Sequence, residues 1–281
     1  VYSFFKKFYN NLSYYIPDRY KEGYGISTKG IDWAEENNHS LIIALDCGIK
    51  SVDKIAYANE KGIDFIICDH HLPGEVIPSA VAVLDPKRHD CPYPYKELSG
   101  CGIGFKLIQA FAEKNNMPFS YLEPFLDLVA VSIASDIVPI TGENRTHAFY
   151  GLKRINENPC EGLKALIDLS AQKEAITITD IVFQIGPRIN AAGRIDDAKH
   201  AVHLLISGSS ELATEKGQLV NLKNTERKEF DNSITGEALA MLEADPSLHS
   251  RKSTVLLSPT WHKGVIGIVA SRLIEKYYRP T

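Results

Sequence analysis

The chain lacks the features that mark membrane-spanning, secreted and thiolate-metal proteins. No apolar run in its 281 residues reaches the roughly 18 residues that a membrane span needs, and its start lacks the basic-then-apolar order of a signal peptide. The five cysteines form no CxxC pair, which argues against a disulfide framework and against a thiolate zinc site. These absences predict a cytoplasmic protein in a reducing compartment, without a membrane partner.

The chain also lacks an excess of charge of either sign. Its 31 basic and 35 acidic residues give a net charge of −4. This total does not by itself indicate a nucleic-acid binder. It does not exclude one either, because acids that bind metals lower the net charge while basic side chains cluster elsewhere.

Near-continuous apolar runs predict strands that are buried on both faces of a parallel sheet. These runs lie at 41–47, 65–69, 80–85 and 128–138. Between the first two runs, Ser51 can cap a helix that Gly62 ends, and this order is typical of a βαβ unit. The last run is long enough to form a helix instead, so both alternatives stay open for it. Further helices are predicted over 102–115, 121–135, 146–157 and 161–171.

Residues 211–244 predict one long helix, because they contain no proline and carry an approximate apolar stripe at helical spacing. Acidic side chains alternate with the basic ones along it. This alternation is interpreted as a solvated face, which includes Lys223, Arg227 and Lys228.

A second unit is predicted to follow the long helix. Asp245-Pro246 ends the helix, 254–259 predicts a strand, and a further helix begins near Val265. The sequence therefore predicts an α/β domain, a connecting helix and the start of a smaller α/β domain, over 1–209, 210–245 and 246–281.

Acidic and imidazole side chains follow two of the predicted strands. Asp46 closes the first run, and Asp69, His70 and His71 close the second. Because ligands bind outside the carboxyl ends of parallel strands, these side chains can converge on one site. Carboxylates with imidazole suit manganese, iron or zinc, so the pattern favours a metal or phosphate site. The alternative is that both aspartates cap helices while the histidines belong to a loop.

Asp136 lies between apolar residues on both sides, in the segment SIASDIVPITGENR. A buried carboxylate without a partner is costly, so this one is expected to need a cation or a hydrogen-bond donor. The alternative is a salt bridge to a nearby arginine such as Arg145.

Two further motifs suit phosphate binding. PRINAAGRID (187–196) places Arg188, Asn190 and Arg194 among small residues, and arginine offers a planar fork to phosphate oxygens. SPTWHKGVIG (258–267) places His262 in a strand-to-helix turn, where a helix N-terminus favours anions. The alternatives are a tight turn with surface ion pairs and a solvated loop. The glycine-rich SGCGIGFK (99–106) is a weaker signal that also suits a helix start.

Seven stretches, in this order, resemble the DHH phosphoesterase superfamily, and within it the single-strand-specific RecJ exonucleases. Several of them are much more specific than the Asp-His-His triplet alone. They extend over nearly the whole chain: YYIPDRYKEGYGIS (14–27), LDCGI (45–49), CDHHLPG (68–74), LDPKRHDCPYPYKELSGCGIGFKL (84–107), ASDIVPITGENR (134–145), PRINAAGR (187–194) and WHKGVIGIVASRL (261–273).

The resemblance implies an α/β catalytic domain, a long helix and a smaller DHH-associated domain. It also implies two divalent metal ions, with manganese expected and magnesium as the alternative. Asp46 would bridge the metals, and His70 and Asp136 would be further ligands. His71 would contact the scissile phosphate, and Asp69 would orient the neighbouring histidine. The substrate would be contacted by Arg188, Asn190, Arg194, His262 and Arg19.

The implied function is that of a 5′→3′ single-stranded-DNA exonuclease of DNA repair and recombination, which hydrolyses phosphodiesters with two metals. Single-stranded DNA, a single-strand-binding protein and a helicase are the implied partners. One alternative is a DHH phosphodiesterase of short oligoribonucleotides or cyclic dinucleotides, which usually lacks the extended features at 84–107 and 187–196. The other is a non-catalytic scaffold that binds DNA or a replication protein.

The chain departs from the family pattern at both ends. The family's first motif, Asp-x-Asp, lies upstream of the region that matches the start of this chain, which begins at Val1 without a methionine. Two metal-binding acids are therefore expected to be missing. The glycine-rich final part of the DHH-associated domain is expected to follow Thr281. As an enzyme, the fragment is expected to be inactive or severely impaired.

Overall fold

The computed structural model describes residues 1–170, 174–245, 247–248 and 251–281. Within these ranges, three of the apolar runs form one parallel sheet, with strands β1 (Leu41–Leu45), β2 (Asp64–Cys68) and β3 (Ala82–Leu84). The strand order is β1-β2-β3, and Leu45, Cys68 and Leu84 lie side by side in register. The carboxyl ends of all three strands therefore meet at one edge of the sheet, as the βαβ prediction requires.

Helices cover the sheet and build most of the remaining described chain. No helix in the described ranges combines the length and apolar character that crossing a bilayer requires.

Short 3-10 turns at Phe119–Tyr121 and Glu123–Phe125 precede α5 (Leu126–Ser135). A π-helical turn at Ile181–Ile185 joins α8 (Ile178–Asp180) to α9 (Gly186–Ile195). The α-helices are α1 (Tyr2–Phe5), α2 (Thr28–Glu36), α3 (Val52–Glu60), α4 (Gly100–Lys114), α5 (Leu126–Ser135), α6 (Gly142–Glu157), α7 (Glu161–Asp168), α8 (Ile178–Asp180), α9 (Gly186–Ile195), α10 (Lys199–Leu205), α11 (Ser210–Ala244) and α12 (Ile266–Tyr277).

One face of the sheet is buried by α2 and α3. Ile31 of α2 and Ile55 of α3 pack with Phe65 and Ile67 of β2, and all four side chains are almost completely buried. Ser27 caps α2 by accepting a hydrogen bond from the amide of Gly30 at 3.0 Å. Burial of this layer removes apolar surface from water and fixes the sheet edge that carries the polar residues.

The run 128–138 contributes a helix, so the strand alternative is wrong there. It forms α5, which packs against α4, α6 and α9. Val129, Ala130 and Ile133 are buried within it. A helix surrounded by other helices is apolar on all sides, and this explains why its sequence resembles a fully buried strand.

The long helix predicted over 211–244 is confirmed as α11, which has 35 residues. Ser209 caps it by accepting from the amide of Leu212 at 3.4 Å. Its first half packs against α7, α9 and α10. Its second half shares a separate apolar cluster with α12, formed by Ile234, Ala238, Leu242, Val265, Val269 and Leu273.

The strand predicted over 254–259 does not form in the described residues. The amide of Thr254 donates to the carbonyl of Pro280 at 2.7 Å, but no ladder continues from it in these ranges. A strand needs a hydrogen-bonded neighbour, and the side chains of Val255 and Leu257 stay exposed. Residues 171–173, 246, 249 and 250 lie outside the described residues, and so do the end of the helix predicted over 161–171 and the predicted stop at Pro246.

Candidate metal centre and nucleic-acid interface

Asp46 and the Asp69-His70-His71 triplet lie at the carboxyl edge of the sheet. Asp46 follows β1 in the left-handed region, with φ 63°, and its amide donates to the carbonyl of Cys68 at 2.8 Å. Asp69 follows β2, and its amide donates to the carbonyl of Leu84 at 3.0 Å. These bonds hold the ends of neighbouring strands together, so the side chains that follow them share one edge.

Asp69 is an anchor inside this edge. Its carboxylate accepts from the amides of Ile49 (2.9 Å), His70 (2.8 Å) and His71 (3.2 Å), and it lies 2.6 Å from Nδ1 of His71. Burial alone would raise the pKa of Asp69, but the hydrogen bonds from Ile49 and His71 outweigh burial and hold the pKa below its usual range. The ionised carboxylate fixes the imidazole of His71, whose side chain is 59% exposed.

His70 occupies the centre of the cluster. Its Nε2 lies 3.1 Å from Oδ1 of Asp46 and 3.2 Å from Oδ2 of Asp136. The Asp46 carboxylate raises the pKa of His70. Despite the short distances, neither contact has the angles of a full hydrogen bond, and both buried ring nitrogens lack a hydrogen-bond partner among the described residues. A buried imidazole without a partner is unfavourable, so this geometry suits a ligand that the ring nitrogen could bind.

The residues around His70 fit a divalent cation. Asp46, His70 and His71 each offer one possible ligand atom, and these three atoms lie within 4.8 Å of one another. Asp136 adds a second carboxylate near the same Nε2 of His70. Mixed carboxylate and imidazole donors suit manganese, iron or zinc. A cation among them would satisfy the orphaned Nε2 of His70 and balance the two carboxylates.

Asp136 reaches the cluster differently from the way its sequence suggests. It lies at the C-terminal end of α5, and its side chain is 42% exposed. The expectation of a buried carboxylate was therefore wrong, because the apolar residue Ile137 after it points to solvent. In the described ranges Asp136 forms no salt bridge with Arg145; its ionic neighbour is His70.

Sequence reasoning missed the importance of Gly100, the first residue of α4. A β-carbon on Gly100 would lie 2.0 Å from Oδ1 of Asp46. Ser99 caps this helix by accepting from the amide of Gly102 at 3.2 Å. The Asp46 carboxylate thus rests on the start of α4, where the helix dipole favours negative charge. The glycine-rich stretch 99–106 indicated a helix start, but it did not indicate that the Asp46 carboxylate packs against it.

Three motifs that are distant in sequence meet around Arg194. The guanidinium of Arg19 donates to the carbonyl of Gly193 at 3.0 Å, and the hydroxyl of Tyr20 donates to the carbonyl of Arg194 at 2.8 Å. Arg194 in turn reaches the carbonyl of Gly264 at 3.4 Å. The structure therefore brings Arg19 and Arg194 together with the turn before α12.

His262 lies in that same turn and packs against α11. Its Nδ1 accepts from the amide of Gly264 at 3.1 Å. Its ring stacks on Phe230 with centroids 5.2 Å apart and planes at 21°. Accordingly, the predicted interface residue on the second unit stands beside the long helix with its ring orientation fixed.

Arg188 and Asn190 are placed differently from Arg194. Arg188 donates to Oδ1 of Asn221 (2.9 Å) and to the carbonyls of Gln184 (2.6 Å) and Leu169 (3.1 Å). Burial lowers the pKa of its guanidinium. Three of its five N–H groups therefore serve internal bonds between α7, the π-helical turn and α11. Asn190 is exposed on α9.

The interpretation of a solvated basic face on α11 was wrong for Arg227 and Lys223. The side chain of Arg227 is only 14% exposed and lies 3.8 Å from Asp231. Asp231, 1% exposed, accepts from Arg272 of α12 at 2.7 Å. Lys223 pairs with Asp196 at 3.5 Å. These charges face neighbouring elements instead of solvent, because α9 and α12 cover that side of the helix.

Comparison with known proteins places this site in a family. A model described as "DHH family, N-terminal domain" matches residues 1–133, which contain the sheet, Asp46 and the Asp-His-His triplet. The chain belongs to the DHH family. This DHH chain is 40% identical over 270 residues to the single-stranded-DNA-specific exonuclease RecJ of Bacillus subtilis (strain 168), a match that covers 96% of the chain and 33% of that relative.

A second RecJ, from Salmonella typhimurium (strain LT2), is 37% identical to the DHH chain over 288 residues, covering 96% of the chain and 49% of the relative. The DHH chain thus spans about half or less of the length of these curated relatives.

Solved RecJ structures share the fold of the DHH chain. A crystal structure of exonuclease RecJ bound to manganese matches with a TM-score of 0.83 and 31% identity, covering 94% of this chain and 66% of that one. RecJ from Thermus thermophilus in complex with Mg²⁺ matches with a TM-score of 0.69 and 29% identity, covering 86% of this chain and 34% of that one. The predicted α/β fold with a parallel sheet and the predicted DHH resemblance are confirmed.

Proposed function

We propose that the protein carrying this DHH chain is a metal-dependent exonuclease that degrades single-stranded DNA from the 5′ end, in DNA repair and recombination. The observation that carries the proposal is the cluster in which Asp46 and Asp136 lie within 3.2 Å of one nitrogen of His70. Relatives named as single-stranded-DNA-specific exonucleases support it. Because the chain spans about half or less of their length, the proposal concerns the whole protein.

Asp46, His70 and Asp136 would hold two divalent cations, and we expect manganese ahead of magnesium because an imidazole ligand suits manganese better. When bound, such cations acidify a water molecule and neutralise the phosphate. The carboxylate of Asp69 accepts a hydrogen bond from Nδ1 of His71. Nδ1 therefore carries a proton, and Nε2 faces the edge of the sheet. When the ring carries a second proton, Nε2 of His71 would be the atom that donates a hydrogen bond to a phosphate oxygen.

Arg19, Arg194 and His262 would bind the DNA strand near its 5′ end. The exposed ring of Tyr24 lies 4.8 Å from the guanidinium of Arg19 and offers a surface for base stacking. Arg188 would contribute the N–H groups that its internal bonds leave free. Such contacts depend on the charge of the DNA backbone and on base stacking. DNA binding should therefore tolerate any sequence and weaken as the salt concentration rises.

The remaining parts of the proposal concern organisation and partners. Residues 1–209 would form the catalytic unit, 210–245 would connect the units, and 246–281 would begin the DHH-associated unit. Exposed Asn190 would face the DNA from α9. Single-strand-binding protein and a helicase are proposed as partners in the cytoplasm, because a 5′ exonuclease needs single strands to be exposed.

The proposal is tested by hydrolysis of 5′-labelled single-stranded DNA, duplex DNA and dinucleotides by the protein carrying this sequence. We expect manganese-dependent loss of the single strand, strong reduction in His70→Ala and Asp136→Asn, and wild-type rates in His89→Ala, which changes an exposed histidine outside the cluster. Preference for dinucleotides would instead favour the short-oligonucleotide alternative. Full activity in His70→Ala would exclude the proposed metal centre.

A further inference from the structure

The loop after Asp136 has a conformation that its own sequence does not favour. Ile137 adopts the left-handed region with φ 55°, and its side chain is 83% exposed. A β-branched residue in this region is strained and persists only where neighbouring residues hold the backbone. The carboxylate of Asp136 can therefore keep its place beside His70 only if the loop that follows is fixed from outside.

Two side chains fix this loop at the carbonyl oxygen of Pro139. The amide Nδ2 of Asn144 donates to it at 3.0 Å, and the hydroxyl of Tyr95 donates to it at 3.1 Å. Nδ2 of Asn144 also donates to the carbonyl of Glu97 at 2.5 Å. Asn144 is 0% exposed, and its Oδ1 has no hydrogen-bond partner within the described part of the chain. Its two donated bonds alone therefore set its orientation.

Both donors connect the loop to one irregular segment, residues 93–99. Tyr95 and Glu97 belong to that segment, and the ring of Tyr95 packs on Gly142, where a β-carbon would lie 2.7 Å from it. Tyr93 in the same segment donates to Glu143 at 2.6 Å. The start of α6 and the loop before it are thus both attached to residues 93–99.

The other end of the 93–99 segment leads directly to the residue that contacts Asp46. Its last residue, Ser99, caps α4 and accepts from the hydroxyl of Ser132 on α5 at 3.0 Å. The next residue is Gly100, on which the Asp46 carboxylate rests. One short segment therefore contacts the Asp136 loop at one end and supports Asp46 at the other.

We propose that the 93–99 segment sets the separation between Asp46 and Asp136, with Asn144 and Tyr95 as positioning residues for Asp136. The inference rests on the proposed metal function of the two aspartates. Among the described residues, no hydrogen bond joins Asn144 or Tyr95 to the proposed metal ligands; both act through the backbone at Pro139. Their loss would loosen one carboxylate relative to the other, which weakens metal binding because the ligands are no longer preorganised.

The test is a manganese titration, by calorimetry, of the whole protein that carries this sequence, with thermal unfolding measured on the same samples. Asn144→Asp keeps the shape but replaces both donated bonds with repulsion from two carbonyl oxygens, and it should weaken manganese binding at least tenfold. Tyr95→Phe removes one hydroxyl, keeps the ring on Gly142, and should weaken binding about fivefold.

The matched control is Asn156→Asp. Asn156 also joins a helix to a loop, donating to the carbonyl of Ile176 at 3.0 Å and accepting from its amide at 2.7 Å, but it does so away from the metal ligands. It should lower the melting temperature and leave manganese affinity unchanged. A lower melting temperature with unchanged manganese affinity would distinguish a general loss of stability from a loss of positioning.

Wild-type affinity in Tyr95→Phe would overturn the inference, whether or not Asn144→Asp folds, while leaving the metal centre in place. Equal losses of affinity in Asn156→Asp and Asn144→Asp would overturn it too. A wild-type whole protein that binds no manganese would overturn the proposed metal centre and this inference with it.

Discussion

The α-carbon of Gly100 lies directly against the carboxylate of Asp46, so that a β-carbon there would be 2.0 Å from Oδ1 and 2.4 Å from Cγ. Gly100→Ala must therefore displace the Asp46 carboxylate or the start of α4. We expect loss of manganese binding together with a stability loss of about 1–3 kcal/mol, typical of overpacking. Calorimetric titration and urea unfolding measure the two effects.

Gly236→Ala provides the matched control for that substitution. Gly236 lies at an exposed position in the middle of α11, and a β-carbon there would meet no described atom within 4 Å. Alanine should raise stability by about 0.5–1 kcal/mol through helix propensity and leave manganese affinity unchanged. Wild-type manganese affinity in Gly100→Ala would contradict the contact with Asp46.

Asp69→Asn should separate the anchoring of His71 from metal ligation. An asparagine has a single acceptor oxygen, so it cannot serve the donors from Ile49, His70 and His71 together. We expect a stability loss of about 1–3 kcal/mol and a lower hydrolysis rate, because His71 loses its fixed orientation. Asp64→Asn, at the exposed start of β2, should change neither quantity. Unchanged stability in Asp69→Asn would argue against the anchor.

Arg272 and Asp231 should contribute to the docking of α12 on α11. Within the described ranges, Arg272→Ala leaves the buried carboxylate of Asp231 with only Arg227 at 3.8 Å as its ionic partner. Because Arg272 is half exposed, we expect a moderate loss of about 1–2 kcal/mol in the free energy of unfolding. Glu275→Ala on the exposed side of α12 should stay within about 0.5 kcal/mol of wild type. Urea unfolding compares the two, and equal effects would contradict the proposed role.

Glu143 should make stability depend on pH in the acid range. Burial alone would raise the pKa of this carboxyl, but the ion pair with Lys106 and the hydrogen bond from Tyr93 hold the pKa below its usual value of 4.5. The unfolded chain then binds the proton more readily than the folded one. Glu143 therefore contributes its stability fully above pH 4.5, and this contribution is lost as the pH falls through the folded pKa.

Glu143→Gln should accordingly lower stability at neutral pH and show a shallower decline below pH 4.5. Glu157→Gln, in an exposed pair with Lys153 on the same helix, should keep the wild-type pH profile. Urea unfolding over that pH range measures both variants. Identical acid slopes for wild type and Glu143→Gln would show that Glu143 does not carry the effect.

The sheet and much of the candidate metal centre could be predicted because they depend on local features of the chain. Apolar runs before Asp46 and Asp69 mark strands buried on both faces, and one crossover helix makes them parallel. Parallel neighbours end at the same edge, so the polar residues after them must lie close together. No knowledge of the remaining fold is needed for that step.

Other features depend on distant partners and were not predictable in the same way. The strand expected over 254–259 has the right composition, but pairing needs a neighbour that composition does not specify. Arg227 was interpreted as solvated because its sequence neighbours are charged, yet the partner Asp231 is itself bound by Arg272, 41 residues further along. Gly100 gave only a helix-start signal, because the carboxylate that requires it comes from another strand end.

The left-handed backbone of Asp46 has a consequence for engineering. A non-glycine residue at φ 63° costs about 1 kcal/mol relative to glycine, so glycine would relieve strain at this position. A search for heat-resistant variants of this chain would therefore favour replacement of Asp46, the aspartate that we propose as a metal ligand. Screens for thermostability should keep position 46 fixed, because they would otherwise select stable proteins that lack the proposed metal ligand.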